Sequence, residues 1–332
     1  MNLNHNHPHI PMAIRKIETV IDISKNIMIS VSGGSDSDVV LDIMSRCIPL
    51  KEDNIHVVFF DTGLEWQATK EHLDFLEAKY DKKIERLKAV KSIPTCCKEY
   101  GVPFISKYAS EQIHRLQSHG FSWQDSSYNS LISEYPDCKS ALKWWCDEYN
   151  TKNHNISMFG ISRNKGLKQF LVDNPPTFKI SNKCCTYAKK DVAKKYEREK
   201  EIDISVIGVR KAEGGARAAS TTCWLPRNES RNVSLFKPIF WFSNDDKTAY
   251  NQHFGVCNSK CYTKYGMTRT GCAGCPYGRN FMREIEIAQI YEPKMYKAIM
   301  ATFGKSYEYT QKYQDFVKFK NLPINQSILD DF

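Results

Sequence analysis

Two apolar runs near the start of the chain each precede a segment with helical periodicity. Residues 26–31 and 55–60 are short and mostly apolar, which is typical of strands buried on both faces of a sheet. The segments 38–47 and 65–80 instead place apolar residues three and four positions apart, as on one face of a helix. This alternation predicts an α/β fold with a parallel sheet and helices on both of its faces.

Similar patterns continue along the chain. Residues 157–161 and 205–209 resemble the first two apolar runs and are predicted as strands, with a strongly basic helix over 189–200 between them. A further helix is predicted over 14–23, and the stretch 98–150 is mostly helical in pattern and rich in aromatic residues.

Three regions are expected from these patterns. Residues 1–12 are polar, contain three histidines and are predicted to be a disordered leader. Residues 13–240 are expected to form the α/β domain. Residues 241–332, where cysteine and glycine become more frequent before a helical tail, are expected to be a small cysteine-bearing helical region packed on that domain.

Composition narrows the class of protein. With 332 residues and 41% hydrophobic content, the chain can bury a core without disulfide support. No window approaches the ~20 apolar residues that a membrane span needs, and the N-terminal residues carry no apolar export signal. A cytoplasmic protein is therefore expected, and in that reducing compartment 12 cysteines favour metal, cluster or redox chemistry over disulfides.

The first apolar run leads directly into a loop rich in serine and glycine, and a predicted helix follows the loop. The loop residues are Ser32, Gly33, Gly34, Ser35, Asp36 and Ser37. Glycines allow the backbone to approach an anion closely, and the free N–H groups at a helix start point toward it. The pattern is neither a Walker motif nor the dinucleotide glycine fingerprint. It predicts a phosphate site of another kind, with an ordinary strand-to-helix turn as the alternative.

A second candidate segment closes the second apolar run. Asp61, Thr62 and Gly63 follow that predicted strand directly. Ligands of open α/β sheets bind at the carboxyl ends of the strands, where both motifs fall. The segment is therefore predicted to belong to the same site as the loop.

The two motifs resemble the PP-loop ATP pyrophosphatase superfamily and, within it, the phosphoadenosine-phosphosulfate (PAPS) reductase-like family. The loop matches the S-G-G-x-D-S sequence that cradles pyrophosphate or phosphosulfate in that superfamily, and 61–63 match a D-T-G segment of the family. The resemblance covers roughly residues 25–285 and implies a fold of the adenine nucleotide alpha hydrolase-like type. It implies that ATP or a sulfonucleotide binds at 32–37 and 61–63, with Mg²⁺ neutralising the phosphates. Asp36 is the candidate carboxylate that positions the metal or the phosphates.

The resemblance also covers two arginines. Residues 207–213, followed by Arg217, resemble the G-x-R-x-x-E…R segment of the family, in which the arginines face substrate phosphate or sulfate. Arg210, Arg217 and Asp36 are therefore the candidate catalytic residues. As ordinary surface residues, the two arginines would be solvated.

Adjacent cysteines followed by a C-x-x-C motif resemble the arrangement that holds a [4Fe–4S] cluster in assimilatory adenylylsulfate reductases. The cysteines in this arrangement are Cys184, Cys185, Cys272 and Cys275. A competing local set replaces the adjacent pair with Cys257 and Cys261 and would suit zinc or a cluster. Unligated buried thiols are the third alternative. A second adjacent pair, Cys96 and Cys97, could carry sulfur or exchange disulfides, and the sequence leaves its role open.

The resemblance implies an enzyme of sulfur metabolism, and the C-terminal segment bears on its reaction. Sulfonucleotide reductases of the family use a cysteine near the C-terminus in an E-C-G-x-H-type motif, but residues 276–332 contain neither cysteine nor histidine. The leading hypothesis is an adenylating sulfurtransferase: an acceptor oxygen attacks the α-phosphate of ATP, pyrophosphate leaves, and sulfur delivered through the cluster or a cysteine displaces AMP. The alternatives are an adenylylsulfate or PAPS reductase that releases sulfite, and a catalytically silent module that binds nucleotide or nucleic acid.

Charge bears on the partners. The net charge is +9, and lysines and arginines are concentrated between Lys183 and Lys200. A tRNA or DNA acceptor would need such a phosphate-contacting surface, whereas a solvated helix face is the equal alternative. A thiol or sulfur-donor protein is the other expected partner.

Overall fold

The computed structural model describes residues 6–149, 157, 159–214, 220–229, 231–278 and 280–320. The helices are α1 (His9–Asp22), α2 (Ser35–Cys47), α3 (Gln67–Tyr80), α4 (Ile93–Tyr100), α5 (Lys107–Ser118), α6 (Tyr128–Glu134), α7 (Lys139–Trp145), α8 (Leu167–Asp173), α9 (Lys183–Cys185), α10 (Asp191–Glu199), α11 (Asn244–Phe254), α12 (Lys260–Thr263), α13 (Phe281–Tyr291) and α14 (Pro293–Phe319). The strands are β1 (Ile27–Ser30), β2 (Ile55–Asp61), β3 (Glu85–Lys88), β4 (Ile204–Ile207), β5 (Trp224–Leu225) and β6 (Ser234–Phe236). No helix in these ranges is both long and apolar enough to cross a membrane.

The chain forms two compact units, each built from three segments. Unit 1 comprises Met1–Ser92, Tyr187–Ala273 and Glu286–Met295. Unit 2 comprises Ile93–Thr186, Gly274–Ile285 and Tyr296–Phe332. This division differs from the expected boundary between residues 240 and 241, because segments distant in the sequence pack together within each unit.

Unit 1 contains a six-stranded sheet in the order β3-β2-β1-β4-β6-β5. All neighbouring strands are parallel except β5, which pairs antiparallel with β6 at one edge. The α/β prediction is therefore confirmed, as are the strands predicted over 26–31, 55–60 and 205–209. Apolar side chains of these strands and of α1 and α2 form the main hydrophobic core of the unit.

The strand order reverses at the centre of this sheet. β1 lies between β2 on one side and β4 on the other, and the chain builds outward in both directions from it. In open α/β sheets the crevice at the carboxyl ends of the strands at such a reversal is the usual ligand site. The loop after β1 and the loop after β4 both begin at this position.

The start of α1 differs from the predicted leader. The helix begins at His9, and Ile10 is buried with Ala13 in the unit 1 core, so the apolar helical pattern starts earlier than expected. The Nδ1 atoms of His7 and His9 lie 3.0 and 2.9 Å from the Asp246 carboxylate. These contacts order a polar segment that by composition alone resembles a disordered tail, while residues 1–5 lie outside the described part.

Unit 2 is mostly helical, as the pattern over 98–150 predicted. Its core is rich in aromatic residues, including Trp144 and Trp145, which are fully buried. The strand predicted over 157–161 is wrong for the described residues of that segment: Phe159 and Gly160 lie in a turn, and Ile161 begins a short 3-10 helix. Ile161 is buried in this core whereas Phe159 is exposed, and a short apolar run does not by itself distinguish a strand from a turn.

Candidate functional site

The loop after β1 is closed by one of its own side chains. The Ser37 hydroxyl donates to the Gly34 carbonyl at 2.7 Å and accepts from the Ser32 backbone N–H at 3.1 Å. Gly33 adopts φ 64°, a conformation that favours glycine. Ser37 is buried by these contacts, so its hydroxyl holds the loop in shape. The amide groups at the start of α2 are positioned at the carboxyl edge of the sheet as a result.

The loop after β4 approaches the first loop closely. A Cβ atom placed on Gly208 would lie 2.8 Å from the Ser37 nitrogen and 2.9 Å from the Asp36 carbonyl carbon. Real side chains do not tolerate such distances to backbone atoms. Glycine at position 208 therefore allows the two loops to meet at the point where the strand order reverses.

Two cations converge on the carboxylate of the first loop. Asp36 Oδ1 accepts hydrogen bonds from Arg210 Nε at 2.9 Å and from Lys247 Nζ at 2.8 Å. Lys247 also donates to the Ser35 hydroxyl at 3.0 Å, and Arg210 donates to Asn244 Oδ1 at 3.0 Å. The Arg210 side chain is buried, so its direction is fixed. Two cations therefore contact the same carboxylate oxygen, and their positive charge at the loop favours an anionic ligand.

Two hydroxyl groups complete the polar surface of the loop. The Ser35 N–H donates to the Tyr262 hydroxyl at 3.1 Å. A Cβ on Gly34 would lie 3.1 Å from Thr270 Oγ1 and 3.4 Å from the same tyrosine oxygen. Burial raises the pKa of Tyr262, so this hydroxyl stays protonated and can donate a hydrogen bond. The site thus presents amides, hydroxyls and cations side by side.

The second candidate segment divides into exposed and buried parts. Asp61 is half-buried at the end of β2, and its Oδ1 accepts the Gly63 N–H at 3.0 Å. Thr62 is fully buried, and its hydroxyl donates to Glu65 Oε1 at 2.5 Å. Burial raises the pKa of Glu65, although the charge of Lys189 and the hydrogen bonds from Thr62 oppose the shift. Asp61 and Gly63 are therefore accessible to a ligand, whereas Thr62 shapes the turn.

The predicted cysteine ligands are found in different surroundings. In unit 2, the buried Cys184 is influenced by Cys185, Cys97 and Cys275, which all act on its pKa. The hydrogen bond with Cys185 lowers the pKa of Cys184, but the hydrogen bond with Cys97 and burial raise it, and the result is well above the usual value. In unit 1, Cys272 Sγ lies 3.6 Å from the Thr62 hydroxyl oxygen.

The competing ligand set lies in unit 1 apart from Cys275. Cys257 is exposed, and its thiol donates to the Gly255 carbonyl at 3.7 Å. Cys261 is fully buried, with its sulfur 3.7 Å from the Thr69 hydroxyl. These two thiols therefore have separate surroundings.

Whether these cysteines could bind a metal ion or an iron–sulfur cluster depends on the chemistry of their thiol groups. Within the described ranges, no three His, Cys, Asp or Glu side chains already stand in the arrangement of a metal site. The thiols around Cys184 are nevertheless close together and are the donor type that soft metals and iron–sulfur clusters prefer.

Sequence motifs identified part of this site. Asp36 and Arg210 were predicted from separate motifs, and the structure brings them into contact. Arg217 lies outside the described residues. Lys247, Tyr262 and Thr270 were missed. Lys247 lies in a segment without a motif, and Tyr262 and Thr270 adjoin cysteines that were considered only as metal ligands.

The family comparison agrees with the motifs. The family model described as the phosphoadenosine phosphosulfate reductase domain matches residues 26–129 and 148–277, which is more than half of the chain. The chain belongs to the phosphoadenosine phosphosulfate reductase-like family, as the motifs predicted.

Individual similarities are more limited. An uncharacterized protein of Methanocaldococcus jannaschii is 38% identical over 81 residues, a match that spans 24% of this chain and 16% of that protein. A PAPS reductase from Candida auris, solved with phosphate, has 13% identity and a TM-score of 0.43, covering 82% of this chain and 95% of its own. An NH3-dependent NAD synthetase from Campylobacter jejuni has 11% identity and a TM-score of 0.38, covering 93% and 96%.

Proposed function

We propose that this chain binds ATP with its phosphates at the 32–37 loop and transfers AMP to an acceptor, as the first half of a sulfur transfer. The observation that carries the proposal is the contact of Arg210 and Lys247 with Asp36 beside that loop. Two cations, loop amides and hydroxyls meet where the strand order reverses, which is the usual ligand position in such sheets. A polyphosphate supplies the negative charge that this arrangement favours.

Each charged group has a defined part in the proposal. Asp36 orients the Arg210 and Lys247 side chains, and Mg²⁺ bound with the nucleotide would neutralise part of the phosphate charge. Lys247 also contacts the Ser35 hydroxyl, so its ammonium group stands at the start of α2, where anions bind most readily. Asp61 and Gly63 are accessible at the end of β2 and complete the nucleotide site.

The proposed reaction is an attack on the α-phosphate of ATP that releases pyrophosphate. An acceptor oxygen attacks the α-phosphorus, the bond from that phosphorus to the β-phosphate oxygen breaks, and pyrophosphate leaves with the electron pair. Arg210 and Lys247 stabilise the negative charge that grows on the leaving group. Because their side chains are already held in place, they need little rearrangement as that charge develops. A persulfide or another sulfur nucleophile then displaces AMP from the acceptor. A [4Fe–4S] cluster, when bound by the cysteines, would supply sulfur-handling or electron-transfer chemistry.

Reduction of adenylylsulfate or PAPS to sulfite is the second candidate, because the matching family is named for that activity. The same loop would hold the phosphosulfate end of the nucleotide. This reaction needs a nucleophilic thiol and an external thiol donor. Residues 276–332 contain no cysteine, so that thiol would have to come from elsewhere in the chain.

Pyrophosphate release from ATP and Mg²⁺ tests the proposal. Anaerobically purified protein is assayed alone, with tRNA and with DNA, and sulfite release from PAPS or adenylylsulfate with a dithiol donor is measured in parallel. We expect pyrophosphate release that an acceptor stimulates and that Arg210→Gln abolishes. Arg15→Gln, at an exposed arginine of α1, is the matched control and should leave the rate unchanged. Sulfite release without pyrophosphate release would replace the adenylation proposal with the reductase.

A further inference from the structure

A buried pair of ionisable side chains lies next to the 32–37 loop, and the proposed reaction does not use it. Asp38 of α2 and His72 of α3 are both buried. The Nε2 atom of His72 lies 2.8 Å from Asp38 Oδ2. Burial raises the pKa of Asp38 above its ordinary value, and the hydrogen bond and charge of His72 oppose the rise. Burying two ionisable groups costs free energy, so a pair of this kind beside the loop is a candidate for a role in the site.

Asp38 connects this pair to the hydroxyl that closes the loop. Its Oδ1 atom lies 3.5 Å from Ser37 Oγ, whereas its Oδ2 atom is the one that contacts His72. The Gly34 carbonyl accepts both the Ser37 hydroxyl at 2.7 Å and the Asp38 backbone N–H at 3.1 Å. The Asp38 carboxylate therefore contacts α3 through one oxygen and the loop-closing serine through the other.

A second contact joins the same face of α3 to the loop. A Cβ atom placed on Gly33 would lie 2.8 Å from Thr69 Cγ2, so the helix approaches the loop backbone closely at this position. Thr69 and His72 are three residues apart on α3, so they lie on one face of the helix, and both are buried. The His72 ring also stacks on Phe75, with 5.7 Å between the ring centroids and 20° between the ring planes. The ring is thus supported by its own helix while its Nε2 atom contacts Asp38.

Asp42, one turn further along α2, provides a comparison. This carboxylate is also buried, and the Tyr80 hydroxyl of α3 donates to its Oδ1 at 2.8 Å. The Tyr250 hydroxyl of α11 donates to its Oδ2 at 2.7 Å. α3 therefore contacts two buried carboxylates of α2 that are four residues apart. Asp38 is the one that adjoins the loop and contacts Ser37, so a role in the site belongs to the contact with His72.

We propose that His72 is a positioning residue, which holds the Asp38 carboxylate against Ser37 and so keeps the 32–37 loop in the shape that binds the phosphates of the nucleotide. The inference rests on the proposed function, because it requires that phosphates bind at this loop. It extends that function to a buried residue that would not touch the nucleotide. Without the hydrogen bond from His72, the Asp38 carboxylate loses a partner that its burial requires. The carboxylate must then reorient or admit water, and either change moves the Ser37 hydroxyl.

Binding of pyrophosphate and ATP by His72 variants tests the proposal. Full-length protein is titrated by calorimetry with each ligand in the presence of Mg²⁺, as the wild type, His72→Leu, His72→Gln and Tyr80→Phe. We expect His72→Leu to raise both dissociation constants by the same factor, about tenfold or more, because the loop holds the phosphates of both ligands. His72→Gln should recover most of the affinity, since its amide nitrogen reaches about as far as Nε2 and can donate to Asp38.

Tyr80→Phe is the matched control. It also removes a donor of α3 from a buried carboxylate of α2, but one turn further from the loop. This variant should melt at a lower temperature than the wild type and still bind both ligands with wild-type affinity. A role of His72 in stability alone would leave the affinities of both variants unchanged.

The outcomes separate this inference from the proposed function. Thermal melting establishes that each variant is folded. If His72→Leu does not accumulate as folded protein, His72→Asn, whose amide is too short to reach Asp38, must show the same loss of affinity. Wild-type affinity in the folded variant overturns the inference and leaves the nucleotide site in place. An equal loss in Tyr80→Phe, or no recovery in His72→Gln, does the same. A wild-type protein that binds neither ligand overturns the proposed function and the inference together.

Discussion

At the scale of single residues, the loop site depends on how a few charges are held. Arg210 is 5% exposed and is paired with Asp36, as a buried guanidinium must be to remain charged at acceptable cost. Lys247 is more accessible and contacts both Asp36 and Ser35. A bound phosphate can therefore interact with Lys247 without breaking the buried pair. We therefore expect Lys247 to contact the ligand directly, whereas Arg210 acts on the same phosphates through the positive charge that its buried pair with Asp36 holds in place.

Replacing Lys247 should weaken nucleotide binding with little effect on folding. A charge-assisted hydrogen bond contributes about 1.5–3 kcal/mol, so Lys247→Ala should raise the Kd for ATP roughly ten- to hundredfold. Isothermal titration calorimetry measures the change. Lys51→Ala, which removes an exposed lysine of unit 1, is the control and should bind ATP as the wild type does. Equal affinity in Lys247→Ala would remove this residue from the site.

At the scale of elements, the site depends on the approach of two strand-to-loop junctions. β1 and β4 are paired in register from Ile27 with Ile204 to Ser30 with Ile207, so the loops that follow them start at the same level of the sheet. Gly208 allows the backbones to meet there, and α11 brings Lys247 to the same place. α11 is fixed in turn by a capping box, in which the Ser243 hydroxyl accepts the Asp246 N–H at 3.0 Å and the Asp246 carboxylate accepts the Ser243 N–H at 2.9 Å.

Adding one methyl group at Gly208 should disturb this junction. The Cβ of Gly208→Ala would meet backbone atoms of Ser37 and Asp36 at under 3 Å, and such overpacking costs about 1–3 kcal/mol. We expect a lower free energy of unfolding in urea and weaker ATP binding. Gly304→Ala is the control. Apart from its chain neighbours and the backbone of its own helix, no atom of the described residues lies within 4 Å of an added Cβ, and alanine should leave stability unchanged or raise it by about 0.5–1 kcal/mol. Unchanged stability and affinity in Gly208→Ala would show that the junction has more room than the distances indicate.

The junction between α1 and α11 should make stability depend on pH in acid. Burial alone would raise the pKa of Asp246, but hydrogen bonds from His9, Ser243 and His7 lower it to about 2 from its ordinary 3.8. A carboxyl group with a lowered pKa in the folded state stabilises the protein above its ordinary pKa. That contribution is lost as the pH falls from about 4 toward 2.

Asp246→Asn isolates this contribution. The variant should be less stable than the wild type at pH 7, and the difference in free energy of unfolding should shrink below pH 4. Urea titrations at a series of pH values measure it. Asp245→Asn, at the exposed neighbouring carboxylate, should follow the wild-type curve. A constant difference between wild type and Asp246→Asn from pH 7 to pH 2 would contradict the assignment.

At the scale of the whole molecule, sequence patterns predicted the sheet better than the division of the chain. Short apolar runs such as 55–60 identify a strand buried on both faces without further information. The two units are each assembled from three distant segments, and no local pattern indicates which segments will pack together. The same limit applies to the site. Asp36 and Arg210 lie in motifs and could be predicted, whereas Lys247 and Tyr262 contact the loop only because α11 and α12 fold back onto it.

The net charge of +9 would favour binding of a nucleic-acid acceptor. Lys194 and Lys195 are exposed on α10, and reversing both charges should weaken tRNA or DNA binding and flatten its dependence on salt. Filter binding between about 50 and 200 mM salt measures the slope, which should fall by roughly one to two units. Lys25→Glu with Lys70→Glu changes the net charge equally at exposed positions elsewhere in unit 1 and is the control. An equal loss in both double variants would show that net charge, and not the α10 surface, governs binding.

Binding of ATP to the 32–37 loop is the central claim, and titration calorimetry with Gly34→Asp tests it most directly. The Cβ of the new residue would lie 3.0–3.4 Å from the hydroxyl oxygens of Ser32, Thr270 and Tyr262, and its carboxylate would add negative charge where a phosphate has to approach. Gly304→Asp adds the same charge at an uncrowded helix position and is the control. We expect the wild type and Gly304→Asp to bind ATP alike, and Gly34→Asp to lose binding while its thermal melting remains cooperative. ATP binding of equal affinity in folded Gly34→Asp would contradict the loop assignment and the proposed function with it.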